Sequence, residues 1–270
     1  MNADLFSQIR ILPIDKIVPF EQLPNIDPDF SLSDCHLVRD PFLVTPLEDG
    51  TYVLLDNTDT FAELVYCGLT QLPVQIAGCN QIVLSSPRLG LHEFNVTDLT
   101  RLTSTHPDHI IIADRPDQSV DPPHMAINCA FSDSPPVRLI LRRHQPHGCP
   151  DSLRLFFEAI QASGGYQAEF RLGSITPGLM RRRDYSCLLS LPRPTFEDIA
   201  YAAHSQQCYP LRTVHAATGV RALQIDLSVA VLTSDLPLGE IEAYLRDLII
   251  YRHQQSRTTT YEGRIYLFNR

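Results

Sequence analysis

Hydrophobic and polar positions along this chain change period often, and the elements they predict are short. Residues 9 to 18 alternate apolar and polar in places, the two-residue repeat of a strand, and run into Pro19-Phe20-Glu21. Asp27-Pro28-Asp29 predicts the start of a helix near Phe30 to Val38. Phe42 to Thr45 and Thr51 to Leu55 flank the Glu48-Asp49-Gly50 turn as the arms of a hairpin, the second arm ending at Asp56. Residues 58 to 67 carry apolar side chains at helical spacing, with Asn57 or Thr58 as N-cap and Gly68 as the stop. Leu72 to Ile76 reads as the next strand.

The middle of the chain yields strands at Ile82 to Ser85, His109 to Ala113 and Met125 to Phe131, a helix at Val96 to Ser104, and a proline-rich loop from Arg115 to Pro123. Pro150 to Ser163 is an amphipathic helix halted by Gly164-Gly165, and Tyr185 to Leu191 is an apolar strand leading to a helix over Thr195 to Gln206. A long helix over Leu238 to His253 lines up Ile241, Leu245, Leu248 and Ile249, and Tyr261 to Phe268 closes the chain as a strand. No internal repeat is present. Short strands and helices without regular βαβ spacing predict an α+β fold.

Composition narrows the function classes. A chain of 270 residues that is 44% hydrophobic buries a core and has length for two modest domains. Its 22 basic and 31 acidic residues leave a net charge of −9, which argues against broad nucleic-acid binding through neutralised phosphates. Arg181-Arg182-Arg183 and Arg142-Arg143 then read first as a solvated basic face, and second as a patch for an acidic partner or DNA. No apolar run approaches the roughly 20 residues of a membrane span, and the first residues lack a signal-peptide pattern, so a cytoplasmic protein without a membrane partner is expected. The seven cysteines are scattered and never spaced as Cys-x-x-Cys, the usage of reduced thiols. His144-x-x-His147-x-Cys149 has zinc-type donors but no fourth ligand, so an ordinary loop is the competing reading. Lys16 is the sole lysine and no Gly-Lys-Ser/Thr exists, which excludes a Walker-type phosphate loop. The absence of Gly-x-Ser-x-Gly and His-Glu-x-x-His leaves the common hydrolases without support.

The strand end Tyr52-Val-Leu-Leu-Asp56 running straight into a helix is the first chemical candidate. A helix N-terminus offers amide donors that suit phosphate, and a strand-end carboxylate can hold magnesium against it. Helix capping by Asp, Asn and Thr is the plain alternative. Glu21, taken alone, reads as a solvated turn carboxylate.

Two motifs in order add to this. Ile17-Val-Pro-Phe-Glu21, the hairpin leading to Leu54-Leu-Asp56-Asn57-Thr58-Asp59, the helix, and Gly68-Leu-Thr-Gln-Leu-Pro73-Val-Gln-Ile76 resemble the ParB/sulfiredoxin fold over residues 9 to 77. In that fold the strand ends in Asp-Gly-x-His/Arg-Arg and the following helix cradles phosphate. With a glutamate after the first strand, the version it resembles is the free L-serine kinases, including the ParB-like kinase and regulator encoded with the siderophore staphyloferrin B. Cys208-Tyr-Pro210-Leu-Arg-Thr213-Val-His215, then Leu223-Gln-Ile-Asp-Leu227, the long helix and Tyr261-Glu-Gly-Arg-Ile-Tyr-Leu-Phe268, are similar to the family's Phe-Pro-x-x-Thr-Arg-His segment and closing Tyr-Glu strand.

The resemblance implies a ParB/sulfiredoxin-like nucleotide-binding domain over residues 1–80 and a second, mixed α/β domain over 81–270 that contributes the acceptor-binding segment. It implies a kinase that converts free L-serine to O-phospho-L-serine with ATP or ADP and Mg2+, feeding siderophore, cysteine or diaminopropionate-type biosynthesis. By position, Glu21 matches the catalytic base, Asp56 the strand-end aspartate near metal and phosphate, and Asn57, Thr58 and Asp59 the phosphate loop. Thr213 and His215 match the substrate-binding Thr-x-His, with Arg212 one place earlier. The departures are Asn57 for the family glycine, Asp59 and Thr60 for its basic pair, Val214 for its arginine, and no tryptophan. They keep a second reading open, a catalytically altered ParB-like regulator or a ligand- or nucleic-acid-binding protein.

Overall fold

Pro13 decides the path of the first strand. It carries no amide hydrogen, and the chain turns there into a 3-10 helix at Ile14–Lys16, with the Ile14 amide donating to Thr70 at 2.9 Å. The single strand expected over 9 to 18 therefore becomes two, β1 (Ile9–Pro13) and β2 (Ile17–Pro19). These lie at opposite edges of a five-stranded sheet, described here in a computed structural model that covers residues 7–31, 36–113, 124–142, 147, 151–162, 168–171, 185–255, 258–261 and 265–268.

The described residues that follow Asp27 directly form a turn. Asp27 accepts the amides of Asp29 through its side chain and Phe30 through its carbonyl, both at 3.0 Å, closing a local turn. Phe30 and Ser31 are not helical, Leu37–Val38 is a strand (β3), and residues 32–35 lie outside the described set. The hairpin follows as expected, with β4 (Phe42–Pro46) antiparallel to β5 (Tyr52–Leu54). Helix α1 (Thr58–Tyr66) ends where Gly68, at φ +80°, donates to Val65, and β6 (Gln71–Ile76) completes the sheet in the order β1-β6-β4-β5-β2.

The C-terminal segment belongs to this same sheet unit. Met1–Val83 and Ala216–Arg270 form one compact unit and Leu84–His215 the other, a division that differs from a boundary at residue 80. The cause is burial. Ala222, Ile225, Leu227, Ile241, Leu245 and Ile249 sit in one apolar cluster with Ile11, Phe42, Leu54, Phe61, Leu64 and Val74. Each fully enclosed aliphatic side chain contributes about 1.5–3 kcal/mol, which ties residues 216–270 to the N-terminal fold. Leu227–Ser228 pairs antiparallel with β3, so tertiary pairing overrides any helical tendency at Leu37–Val38. The long helix is Leu238–Gln254. The closing strand is a pair, Thr258–Tyr261 antiparallel to Ile265–Phe268, and Arg221–Leu223 lies parallel to the latter.

The unit Leu84–His215 has its own six-stranded sheet, joined by antiparallel pairings throughout. Among its described residues, the helices Val96–Thr105, Asp151–Ala162 and Phe196–Ser205 fall where apolar periodicity puts them. Asn95 and Thr195 cap two of them. Gly90 is required in its strand, because a Cβ there would lie 2.7 Å from the Tyr185 ring. The Arg115 to Pro123 loop, Arg143, Arg181-Arg182-Arg183, His144 and Cys149 lie outside the described residues. His147 is described, with its Nδ1 3.8 Å from the Asp198 carboxylate.

Candidate functional site

Register carries two of the expected residues to one place. β2 runs parallel to β5 with Pro19 opposite Leu54, so Glu21 and Asp56, each two residues beyond its strand, leave the sheet at the same end of adjacent strands. Glu21 is only 7% exposed, which removes the reading of a solvated turn carboxylate. Acidic side chains are rarely buried without a partner or a task.

Asp56 is held on both sides. Its Oδ1 accepts the Leu43 amide at 2.7 Å, and its Oδ2 accepts from Arg221 Nη2 at 2.5 Å. The same nitrogen donates to the Pro41 carbonyl at 2.7 Å, and Arg221 Nη1 donates to Gln75 Oε1 at 3.3 Å. Gln75 is fully buried; its Oε1 also accepts the Ala222 amide at 2.9 Å, and its Nε2 donates to the Val220 carbonyl at 2.8 Å. Burial raises the Asp56 carboxyl above its ordinary pKa, against the opposing pull of Arg221 and the Leu43 amide.

Asn57, next in the chain, adopts the left-handed conformation at φ +54° and ψ +34°. Glycine enters that region freely, and asparagine is among the few other residues that do so readily. Asn57 therefore makes a backbone turn of the kind glycine makes freely. Asn57 holds the expected N-cap position, its side chain exposed and making no capping hydrogen bond. The first amides of a helix have no backbone partner within it. Thr58 is buried, and Asp59 is the acidic residue of the first turn.

The second expected set lies together on another segment, in the unit Leu84–His215. Arg212 is exposed at φ +64°. Thr213 is 2% exposed and donates through Oγ1 to the Pro210 carbonyl at 2.7 Å. Val214 is buried, and half-buried His215 begins a strand, its carbonyl accepting from Ser85 Oγ at 3.4 Å.

Magnesium was expected at Asp56, and the donor set does not suit it. Both carboxylate oxygens are engaged, one by a guanidinium whose charge repels a dication at that atom. Among the described residues no group of three or more His, Cys, Asp or Glu is arranged to hold a metal. Arg221 and Gln75 are the residues missed in the sequence. Arg221 is 165 positions from Asp56 and Gln75 is 146 from Arg221, and no local spacing connects them.

No protein-family model and no curated protein matches the chain. Solved structures do. C-terminally truncated SbnI from Staphylococcus aureus is 18% identical, with 94% of this chain covering 100% of that one at a TM-score of 0.74. The two share one fold. A free serine kinase in complex with AMP is 14% identical, with 83% of this chain covering 93% of that one at a TM-score of 0.63. A conserved hypothetical protein from Pyrococcus furiosus is 15% identical, with 83% covering 97% at 0.62. The α+β fold of SbnI and free serine kinase is thus the fold of this chain. No helix among the described residues is long and apolar enough to cross a membrane.

Proposed function

We propose that this protein is a kinase of free L-serine, transferring a phosphoryl group from ATP or ADP to the serine hydroxyl to give O-phospho-L-serine. The observation that carries the reading is the placement of buried Glu21 and of Asp56 at one end of adjacent parallel strands, at the start of helix α1. Solved structures of the same fold include a free serine kinase with AMP and a variant with ADP.

The roles follow from the chemistry of phosphoryl transfer, which needs positioning, donors to the phosphate oxygens and an acceptor for the hydroxyl proton. Glu21 is the base. The amides at Thr58 and Asp59 receive phosphate at the helix N-terminus, where the dipole favours an anion. Asn57 sets the turn that aims them. Arg212, Thr213 and His215 hold the acceptor, with Arg212 supplying to the serine carboxylate the charge that Val214 does not. Mg2+, where used, accompanies the nucleotide phosphates, a common arrangement for this cation, and no protein step is assigned to it. On this reading its product feeds siderophore, cysteine or diaminopropionate-type biosynthesis.

A second reading, a regulator or ligand-binding protein without the chemistry, is favoured by Asp59 in the first turn of α1 and by buried Val214. Both remove positive charge from places where the kinase uses it. Incubation with L-serine, Mg2+ and either ATP or ADP, followed by mass spectrometry, separates the two. O-Phosphoserine formation supports the kinase, and its absence with both nucleotides supports the regulator.

A further inference from the structure

We infer that Asp56 is an anchor and Arg221 its positioning residue: together with Gln75 they fix the phosphate-binding start of α1 to the C-terminal segment of the same unit. This rests on the nucleotide-binding reading above. The geometry is direct. Asp56 immediately precedes the left-handed Asn57 that sets the direction of α1. Its carboxylate is gripped from the sheet by the Leu43 amide and from the C-terminal segment by Arg221. Arg221 is itself oriented by the Pro41 carbonyl and by Gln75, whose amide group is locked between Val220 and Ala222.

A planar guanidinium reaches three acceptors at once, and an ammonium does not. With side-chain exposures of 13% for Arg221 and 24% for Asp56, the pair is largely enclosed, so its loss is not made good by water. The absent basic pair at Asp59 and Thr60 sharpens the need. With no cationic side chain in that turn, phosphate affinity depends on how accurately the backbone amides point, and Arg221 and Asp56 set that aim.

The test titrates AMP into the full chain by calorimetry, once with EDTA and once with Mg2+, for wild type, Arg221→Lys, Asp56→Asn and the double variant. Each single variant is expected to bind AMP about tenfold more weakly, the scale of one charge-assisted hydrogen bond. The factor is the same in EDTA and in Mg2+, and the double variant is no weaker than either single one, since both remove the same link. Affinity within about twofold of wild type in Arg221→Lys overturns the inference, whatever happens to thermal stability. So does a loss in Asp56→Asn confined to Mg2+, which makes Asp56 a metal ligand. If wild type gives no AMP binding, the nucleotide reading falls, and the anchor is judged by hydrogen exchange. Faster exchange at the Leu43 and Phe61 amides in Arg221→Lys supports it, and unchanged exchange overturns it.

Discussion

Replacing Gln75 with methionine keeps the side chain's length and removes its polar end, a direct probe of how the N-terminal sheet closes on residues 216–270. Gln75 is fully buried on β6 and serves three partners, the Ala222 amide at 2.9 Å, the Val220 carbonyl at 2.8 Å and Arg221 at 3.3 Å. In Gln75→Met the two backbone groups lose these partners, at about 1–3 kcal/mol each. The third bond is long, and Arg221 keeps Asp56 and Pro41, so it adds little. Methionine recovers part of the loss through apolar burial, leaving a net destabilisation of about 2–4 kcal/mol. That is a large share of the 5–15 kcal/mol typical of a folded domain. Urea unfolding followed by far-UV circular dichroism measures it, and hydrogen exchange locates it. The Ala222 amide is expected to lose protection. A change below about 1 kcal/mol with Ala222 still protected would refute the claim that Gln75 joins the two chain segments.

Three further outcomes are expected. Asn57→Gly leaves stability within about 0.5 kcal/mol because both residues accept positive φ, whereas Asn57→Val costs about 1–2 kcal/mol at that left-handed position; thermal unfolding of the two variants checks the order. Gly90→Ala destabilises by about 1–3 kcal/mol because its Cβ meets the Tyr185 ring, and Tyr185→Leu in the same background restores part of the loss in denaturant titration. His215→Ala raises KM for L-serine about tenfold and leaves KM for nucleotide unchanged, as steady-state kinetics with each substrate varied will show.

The legible parts of the fold were those with local causes. The β4–β5 hairpin is written in Glu48-Asp49-Gly50 between apolar runs, α1 in its apolar spacing and Gly68, and the long helix in Ile241, Leu245 and Ile249, all buried. At the described ends of the expected helix Phe30 to Val38 the local signal lost, because Asp27-Pro28-Asp29 closes a turn on itself and Leu37–Val38 finds a strand partner at Leu227–Ser228. Glu21 and Asp56 were visible as residues, but their shared sheet end depends on the parallel pairing of β2 with β5, which Pro13 and the 3-10 turn create. Arg221 was invisible for a different reason. Its partners are chosen by tertiary packing, and in sequence it is one arginine among many on an acidic chain.

Phosphoserine formation by wild type beside Glu21→Gln tests the central claim most directly. Glutamine preserves the size of the buried side chain and cannot accept the hydroxyl proton. Purified wild type with L-serine, Mg2+ and ATP or ADP is expected to make O-phospho-L-serine. Glu21→Gln is expected to bind AMP as wild type does and to lose at least about a hundredfold in turnover, the lower range for general-base catalysis. Equal turnover in the two proteins would contradict the role of Glu21, and no phosphoserine from wild type with either nucleotide would contradict the kinase itself.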